Sequence, residues 1–448
     1  MALAQLTSLP SLYADHIEAL GRLYGEVLAR HQLDAIVLST GTPQKKSSYD
    51  DQYWPIVGIP HTRHWLPLAV ADCAVVIKSG QRPRLLLNTA RDFWEGPSEP
   101  ESDHFWSAFD VVECQGTDAV KALLPLGRRA FVGDVSYAEG KARAHGWGFL
   151  EHELASAALL KDLDALRVHK TAYELMCLRE ANRRACLGHA AVLRAFAQGA
   201  YSELDLHLIY LQQTKQDDPE TPYKNIVALG EHAATLHHVS YGRNIVSAQS
   251  LLLDAGATYC GYDSDITRTA VKGQGAVADT FRGLLDGVDK LQQELCRRAV
   301  PGKRYEELHN ESHQLLAEVL RDTKIASASS AELVDSGATR KLLPHGLGHS
   351  LGIQTHDVGC RNVLPEGRNP FLRNTSTVSL GQVFTVEPGC YFVPSLLAEL
   401  RALPIGASFD WALVQGLVAF GGVRIEDDLR VIEGGVENMT RAFLHTSP

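Results

Sequence analysis

The stretch Ser250–Val271, SLLLDAGATYCGYDSDITRTAV, decides the fold of the second half of the chain. An apolar run ends at Asp254, and Asp265 opens a second run rich in β-branched residues. Both runs predict strands, and a turn at Tyr259–Cys260 would join them as a hairpin. In that hairpin Asp254 and Asp265 face each other with Cβ atoms about 4.5–5.5 Å apart. Such a pair requires a shared proton or a cation, although each aspartate alone also fits a turn or a cap.

A second motif, Leu342–Asp357, reads LLPHGLGHSLGIQTHD. It carries three histidines: His345, His349 and His356. The first two are four residues apart, as in zinc-binding HExxH helices, but Gly346 replaces the glutamate of that motif. Since Gly346 and Gly348 are poor residues for a helix interior, we expect an extended segment whose glycines allow close backbone approach. Each histidine taken alone also fits a structural role.

Two more carboxylates lie in β-branched runs. Glu387 closes VFTVEPG, and Glu426 lies within GGVRIEDDLRV, two residues after Arg424. A carboxylate inside an apolar strand is costly unless it is paired or bound to a metal. The neighbouring Asp427 and Asp428 are interpreted as solvated, because they lead toward a turn or an edge.

Together the motifs offer four strand-borne carboxylates and one histidine. This mostly oxygen donor set suits Mn²⁺, Co²⁺ or Zn²⁺ better than a thiolate site would. Four carboxylates carry more charge than one divalent ion balances, so a pair of ions sharing bridging carboxylates is the better match.

Composition limits the class of protein. The chain has 448 residues, 45% of them hydrophobic and 21% charged, which is typical of a globular protein with two domains. Its net charge of −10 argues against bulk attraction to nucleic acid or to an anionic membrane. No CxxC pair, secretory signal or membrane-length apolar run is apparent, and we therefore expect reduced cysteines and a cytoplasmic protein without a nucleic-acid or membrane partner.

Local patterns predict strands interleaved with helices in the first half, which indicates an α/β domain. The helices predicted there are 11–33 and Asp118–Leu126, and the strands are Asp34–Ser39, Ala71–Lys78, Arg84–Asn88, Phe109–Glu113 and Arg129–Val132. The stretch 155–172 is helical in character. Later helices are predicted at 172–196, 276–299 and 306–321, and later strands at Ser250–Asp254, Asp265–Val271, Val383–Glu387 and Gly421–Val431.

In their order, the motifs resemble the metal motifs of the pita-bread metallopeptidases, which include methionine aminopeptidase, aminopeptidase P and prolidase. Three further stretches resemble the bacterial Xaa-Pro dipeptidase branch, with its related organophosphorus acid anhydrolases: SLYADHIEAL, NIVALGEHAATLHH and VENMTRAF. The resemblance implies an α/β (α+β) chain. An N-terminal creatinase-like α/β domain over 1–159 would serve substrate access and contacts within a homodimer. A pita-bread catalytic domain would follow over 160–448.

The resemblance also implies a role for each matching residue. The metal ligands would be Asp254, Asp265, His349, Glu387 and Glu426, with Asp265 and Glu426 bridging two divalent ions. Mn²⁺ is the expected metal, with Zn²⁺ or Co²⁺ as alternatives. The catalytic residues would be His237, His345, His356 and Glu387, with His238 as an alternative to His237. Substrate binding would involve Arg373, which matches the arginine that binds the substrate carboxylate, and Arg424, which would hold a ligand. Ser376 stands where prolidases often have a second arginine.

The function implied is hydrolysis of Xaa-Pro dipeptides with a C-terminal proline, with a small peptide as substrate and two ions activating water. His356 would stabilise the oxyanion, and Glu387 would carry the proton to the proline nitrogen. The related anhydrolases imply a side activity on organophosphate triesters. One alternative is aminopeptidase P-type cleavage of longer Xaa-Pro peptides. A remote alternative is a non-catalytic binding module on the same fold, in which buried carboxylates without metal would be costly.

Overall fold

The computed structural model describes residues 8–56, 58–68, 70–90, 103–361 and 363–444. The chain divides into two compact units, and each is described separately below. The N-terminal unit is Met1–Cys177 with Cys260–Tyr262, and the C-terminal unit is Leu178–Tyr259 with Asp263–Pro448. The domain border expected between residues 159 and 160 stays a prediction.

The N-terminal unit is built on a mixed five-stranded sheet. In chain order its strands are β1 Ala35–Ser39, β2 Ala74–Ile77, β3 Arg84–Asn88, β4 Asp110–Cys114 and β5 Arg129–Val132. They lie in the order β4-β3-β2-β1-β5, with parallel pairing at both edges and antiparallel pairing within. The helices are α1 Leu9–Arg30, α2 Pro60–Arg63, α3 Thr117–Ala122, α4 Ala138–Gly146 and α5 Ala157–Ala165. The predicted α/β organisation of this half is confirmed, with element ends shifted by a few residues.

The C-terminal unit contains small antiparallel sheets covered by helices. The strands from residue 226 onward are β6 Ile226–Leu229, β7 Ser250–Asp254, β8 Thr258–Tyr259, β9 Tyr262–Asp263, β10 Thr267–Val271, β11 Val383–Val386, β12 Gly389–Tyr391, β13 Gly422–Arg424, β14 Asp427–Ile432 and β15 Gly435–Asn438. One sheet has the order β10-β7-β6, another β11-β14-β15, and a third pairs β12 with β13.

The helices from residue 172 onward include the three that the sequence predicts. They are α6 Ala172–Gln198, α7 Glu203–Thr214, α8 Ala276–Arg298, α9 Tyr305–Asp322, α10 Ser330–Asp335, α11 Ala338–Leu342, α12 Pro394–Ala402, α13 Trp411–Leu417 and α14 Arg441–Leu444. The amphipathic helices α8 and α9 turn their apolar faces into the main core, where Phe281, Leu284 and Leu316 are fully buried. Within the described ranges, no helix combines the length and apolar character that crossing a membrane would need.

The predicted hairpin register is wrong. Strands β7 and β10 do pair antiparallel, but Asp254 stands opposite Thr267 and not opposite Asp265. The chain between the two aspartates contains the additional strands β8 and β9, so it does not close as one simple hairpin. The backbone N–H of Asp265 donates to the Asp428 carboxylate at 3.1 Å and takes no part in the β7–β10 ladder.

The predicted strand Gly421–Val431 is interrupted. Strand β13 ends at Arg424 and β14 begins at Asp427, which leaves Glu426 in the gap between them. There its backbone N–H donates to the Thr267 carbonyl at 3.1 Å, so the gap is bridged to the start of β10. This interruption carries the Glu426 side chain toward the aspartates of the first motif.

The interpretation of Asp427 and Asp428 as solvated is also wrong, because both side chains are fully buried. Burial alone would raise the pKa of Asp427, but the guanidinium groups of Arg268 and Arg441 pair with it and hold that pKa below its usual value. Asp428 accepts a hydrogen bond from Asn182 at 2.8 Å, besides the one from Asp265. These partners come from distant parts of the chain, so the local pattern could not indicate them.

Three buried histidines make the fold sensitive to acid. Burial lowers the pKa of His189 and His309 to about 4 and that of His313 to about 2. In the unfolded chain each would take up a proton near pH 6.5, so the unfolded state binds more protons below that pH and stability falls. Each of these histidines therefore contributes a fall in melting temperature of the metal-free protein as the pH drops from 6.5 to 4, whereas a buried carboxyl with a raised pKa, such as Asp428, acts in the opposite direction.

The test compares His313→Gln, which removes one of these groups, with His152→Gln at an exposed position. Melting temperatures measured across this pH range should fall less steeply in His313→Gln than in the parent. His152→Gln should follow the parent. Equal slopes in all three proteins would contradict the assignment of His313 as a neutral buried group.

Candidate metal centre

The five predicted ligands lie on segments that converge in the C-terminal unit. Asp254 ends β7, Asp265 precedes β10, and Glu387 directly follows β11. Glu426 lies in the gap before β14, and His349 lies in the glycine-containing segment after α11. Backbone bridges between Thr267 and Glu426 and between Ser350 and Phe384 hold these segments together. The site is therefore assembled by pairing between strands that are distant in sequence.

The centre of the cluster is formed by Asp265, His349 and Glu426. One donor atom from each lies within 4.8 Å of the other two, and all three residues are buried. The His349 Nε2 atom is 3.4 Å from Asp265 Oδ2 and 3.6 Å from Glu387 Oε1. The Nδ1 atom is 3.1 Å from the Ser350 carbonyl, to which it donates its N–H. This bond fixes the tautomer with the proton on Nδ1, so the lone pair of Nε2 can bind a metal.

Asp254 joins the cluster through the side chain of Tyr223. The Tyr223 hydroxyl is 2.7 Å from Asp254 Oδ1 and 2.5 Å from Asp265 Oδ1. The two aspartates thus meet at one hydroxyl, although they are not paired in the sheet. A tyrosine has one hydroxyl proton and can donate to only one of these oxygens at a time. Arg424 Nη2 donates to the other oxygen of Asp254 at 2.6 Å.

The carboxylates of the site carry more negative charge than the protein around them balances. Burial, followed by repulsion from Asp265 and Asp254, raises the pKa of Glu387 to about 7, against the attraction of His349 and Arg424. Burial and the neighbouring carboxylates raise the pKa of Glu426 well above its usual value. The pKa of Asp265 is also raised, first by burial. A divalent cation would supply the missing positive charge, so the donor set fits a divalent metal.

The glycines of the histidine motif behave as the sequence predicts. The segment that carries His345 and His349 is not helical. A Cβ on Gly348 would collide with the carbonyl of Thr385 and the hydroxyl of Tyr305, and a Cβ on Gly346 would lie 2.9 Å from the Phe371 carbonyl. These close approaches bring the His349 backbone against β11, next to Glu387.

His345 and His356 lie beside the carboxylates as neutral side chains. His345 Nε2 is 2.8 Å from the Tyr391 hydroxyl, and its Nδ1 is 3.7 Å from Glu387 Oε2. The His356 ring packs edge-on against His349, with ring centroids 4.3 Å apart. Burial lowers the pKa of both His345 and His356 to about 3. Both are therefore able to donate or accept a hydrogen bond at neutral pH without carrying charge.

The doublet His237–His238 is separated by the structure. His238 Nε2 is 2.9 Å from a carboxylate oxygen of Glu203. His237 is exposed, and its electrostatic effect contributes to the lowered pKa of both His345 and His356. This geometry favours His237 over His238 as the residue that meets a substrate, although its catalytic role stays a prediction.

The two predicted substrate-binding arginines occupy different surroundings. Arg424 is buried and donates to Asp254, Thr267 and Tyr391, so its guanidinium supports a predicted ligand. Arg373 is exposed, and its charge contributes to the low pKa of His356. Arg373 and His356 therefore interact electrostatically. The substrate-binding roles of the two arginines stay predictions.

Sequence reasoning missed several groups that shape the site, among them Tyr223, Thr267 and Tyr391. Thr267 donates to Glu426 Oε2 at 2.7 Å, and Tyr391 contacts both His345 and Arg424. Tyr223 precedes β6 in the stretch TPYKN, which belongs to none of the predicted metal motifs. Such neutral hydroxyls carry no pattern of their own in a single sequence, and only the packing of the strands reveals them.

Tyr223 supports the site without belonging to the predicted ligand set. Replacing a group that hydrogen-bonds a metal ligand commonly weakens metal affinity about 10- to 100-fold. We therefore expect Tyr223→Phe to bind Mn²⁺ more weakly than the parent by about that factor. Calorimetric titration of the metal-free protein measures this directly. The matched control is Tyr241→Phe, whose hydroxyl donates to the backbone carbonyl of Asn225 instead. Equal affinities in both variants would contradict the supporting role.

Comparison with known proteins places the chain among metallopeptidases. The model for metallopeptidase family M24 matches residues 176–433, and the model for the Xaa-Pro dipeptidase N-terminal domain matches residues 11–163. The Xaa-Pro dipeptidase of Pseudoalteromonas haloplanktis is 38% identical over 98% of this chain and 100% of its own length. The Xaa-Pro dipeptidase of Yersinia enterocolitica is 37% identical over 97% of this chain and 99% of its own.

Solved structures agree on the fold. Zinc-substituted aminopeptidase P of E. coli has a TM-score of 0.73 at 21% identity, covering 97% of this chain and 95% of its own. Proline aminopeptidase P II of Yersinia pestis has a TM-score of 0.69 at 21% identity, covering 97% of this chain and 96% of its own. At this identity the likeness concerns the pita-bread fold alone. The chain belongs to metallopeptidase family M24 and, within it, to the family of the bacterial Xaa-Pro dipeptidases.

Proposed function

We propose that this protein is a metal-dependent dipeptidase that hydrolyses Xaa-Pro dipeptides with a C-terminal proline. The observation that carries the proposal is the convergence of Asp265, His349 and Glu426 in one buried cluster, with Asp254 and Glu387 beside it. Its similarity to Xaa-Pro dipeptidases over nearly the whole chain supports the choice of substrate.

The residues of the site divide the work of amide hydrolysis. When two divalent ions are bound, they supply activation of water and polarisation of the substrate carbonyl. Glu387, whose pKa burial raises to about 7, is suited to accept the proton of the water and pass it to the proline nitrogen. His356, neutral and next to His349, donates its N–H toward the oxygen on which negative charge develops.

The substrate is held at both of its ends. An Xaa-Pro amide is tertiary and offers no N–H, so the site must recognise the proline ring and the terminal carboxylate. Arg373 supplies a planar cation that binds a carboxylate in a bidentate manner. His237 and His345 contact the substrate near the scissile bond. Arg424 keeps Asp254 oriented through their 2.6 Å ion pair.

The proposal extends to the metal and to the assembly. We propose Mn²⁺ as the metal, with Zn²⁺ and Co²⁺ as alternatives, because the donors are four carboxylates with one imidazole. We further propose a homodimer in the cytoplasm and a side activity on organophosphate triesters. These rest on the resemblance of the sequence to the bacterial dipeptidases and their related anhydrolases.

A metal-restored assay with matched peptides tests the proposal. The metal-free protein should be inactive, and Mn²⁺ should restore cleavage of Gly-Pro with two ions bound per chain. Gly-Pro-Ala should be cleaved far more slowly, because the group that meets Arg373 is then a peptide amide and not a carboxylate. Efficient cleavage of only the longer peptide would instead support aminopeptidase P-type activity. Less than one metal per chain after reconstitution would favour a binding module.

Aminopeptidase P-type activity is the second candidate. The observation in its favour is the fold shared with aminopeptidase P of E. coli, at a TM-score of 0.73. The curated relatives, which are more similar in sequence, are Xaa-Pro dipeptidases. This difference in identity is why the dipeptidase is the main proposal.

A further inference from the structure

Glu203 is a buried carboxylate that the proposed chemistry does not use. It is the first residue of α7, and only 2% of it is exposed. Its Oε1 atom accepts from the Leu229 backbone N–H at 3.0 Å and lies 2.6 Å from His232 Nδ1. Its Oε2 atom accepts from the Gly242 backbone N–H at 2.8 Å and lies 2.9 Å from His238 Nε2. Both oxygens are therefore fully engaged.

All four partners belong to one stretch of chain, residues 229–242, which we call the His237 segment. Two partners precede His237 and two follow it. Leu229 ends β6, and the stretch after it is short 3₁₀-helix and loop. One carboxylate thus ties the start, the middle and the end of this loop to the first turn of α7. His237 itself is exposed, so its side chain can meet a ligand while Glu203 holds the loop around it.

Glu203, His232 and His238 also have donor atoms close enough together to hold a metal ion. The bonding argues against that use. Each oxygen of Glu203 already accepts from a backbone N–H, and these amide groups present their positive ends where an ion would approach. Burial alone would raise the pKa of Glu203, but the bonds from the two amides and the two imidazoles lower it. These four hydrogen bonds thus favour the charged form of the Glu203 carboxylate.

We propose that Glu203 is a positioning residue for His237. Glu203 fixes the His237 segment so that His237 faces His345 and His356. The proposal rests on the proposed function, in which His237 contacts the substrate. Glu203 acts only through the segment and does not touch the substrate. Its loss should therefore loosen the segment without removing metal.

Hydrogen exchange tests the anchoring without any assay of activity. In Glu203→Gln the side chain keeps its size, but one acceptor oxygen becomes an NH₂ group that cannot accept from a backbone N–H. Amide exchange in residues 229–242 should become about tenfold faster, because the bonds that close the loop are weakened. The matched control is Asp205→Asn in the same turn of α7, since within the described part of the chain the Asp205 side chain accepts hydrogen bonds from Ser202 and not from residues 229–242. Unchanged exchange in Glu203→Gln would overturn the proposal.

A double-mutant cycle tests the route through His237. Glu203→Gln should lower kcat on Gly-Pro about ten- to a hundredfold, the effect of misplacing a group near the reaction. The variant with both Glu203→Gln and His237→Ala should be no slower than His237→Ala alone, because the two changes remove one contribution. Multiplied effects, or loss of bound Mn²⁺ in Glu203→Gln, would overturn the proposal.

One further variant, His238→Ala, and the turnover of His237→Ala separate the remaining explanations. His238→Ala removes one of the four contacts, so it should shift hydrogen exchange and kcat in the same direction as Glu203→Gln but by less. This variant keeps the proposal testable if Glu203→Gln does not fold. If Glu203→Gln does not fold and His238→Ala matches the parent in both hydrogen exchange and kcat, the anchoring role of Glu203 is contradicted. If His237→Ala kept full turnover, the role given to His237 in the proposed function would be wrong. The anchoring of the segment would then be decided by hydrogen exchange alone.

Discussion

Asp265→Asn and Glu426→Gln are each expected to lower kcat on Gly-Pro about a thousandfold, with both ions bound weakly or not at all. Each change removes one negative charge at nearly constant volume. Asp265 and Glu426 lie in the centre of the buried cluster with His349, so their charges balance the cations most directly. Metal content per chain by elemental analysis and turnover with excess Mn²⁺ give the two readouts.

The thermal stability of the metal-free protein should rise in these two variants, whereas their turnover and metal binding should fall. In the metal-free protein, burial and neighbouring carboxylates raise the pKa of Asp265 and Glu426, which means that their charged forms are disfavoured there. An amide removes this unbalanced charge, so the metal-free variants should melt at a higher temperature than the metal-free parent. Glu433→Gln, at an exposed position on the loop after β14, should change neither readout. Near-parental turnover with two ions bound would show that the ligand assignment is wrong.

The sequence predicts the elements of this fold better than their pairing. The five strands of the N-terminal sheet and the helices α6, α8 and α9 follow from local periodicity, because apolar residues repeat at the spacing of each structure. The register of β7 with β10 does not follow. Asp265 lies outside that ladder, and its backbone N–H binds Asp428, a partner that is far away along the chain.

In the candidate site too, the sequence predicts some residues correctly but not the partners that they meet. Charged residues inside apolar runs indicate Asp254, Glu387 and Glu426, because burying an unpaired charge is costly. The same reasoning failed for Asp427 and Asp428, which are equally buried but are paired with arginines or hydrogen-bonded inside the protein.

Burial of a carboxylate therefore does not distinguish a metal ligand from a structural ion pair. For Asp427 and Glu426 the distinction comes from the partners. Asp427 has two arginines around it, and the pKa of Asp427 is lowered. Glu426 has neighbouring carboxylates, and its pKa is raised. A single sequence cannot supply this information, because it depends on which distant side chains meet.

Arg373→Ala is expected to lower kcat/KM for Gly-Pro about ten- to a hundredfold, the loss of one hydrogen-bonded charge pair of ~1.5–3 kcal/mol. Arg373 is exposed and its charge acts on His356, which supports its predicted role of meeting the carboxylate that follows the scissile bond. Metal content should not change, since Arg373 is not among the predicted ligands. Arg373→Lys keeps the charge but not the planar fork, so it should recover only part of the activity.

The decisive measurement is the ratio of Gly-Pro to Gly-prolinamide hydrolysis in the parent and in the variant. The amide lacks the carboxylate, so Arg373→Ala should affect it much less, and a neutral phosphotriester should behave like the amide. Arg361→Ala, another exposed arginine, serves as the control and should leave the ratio unchanged. If both substrates lost equal activity in Arg373→Ala, the arginine would be supporting the structure of its loop. Recognition of the chain end would then have to come from another group, and the case for a dipeptidase over an aminopeptidase would lose its residue.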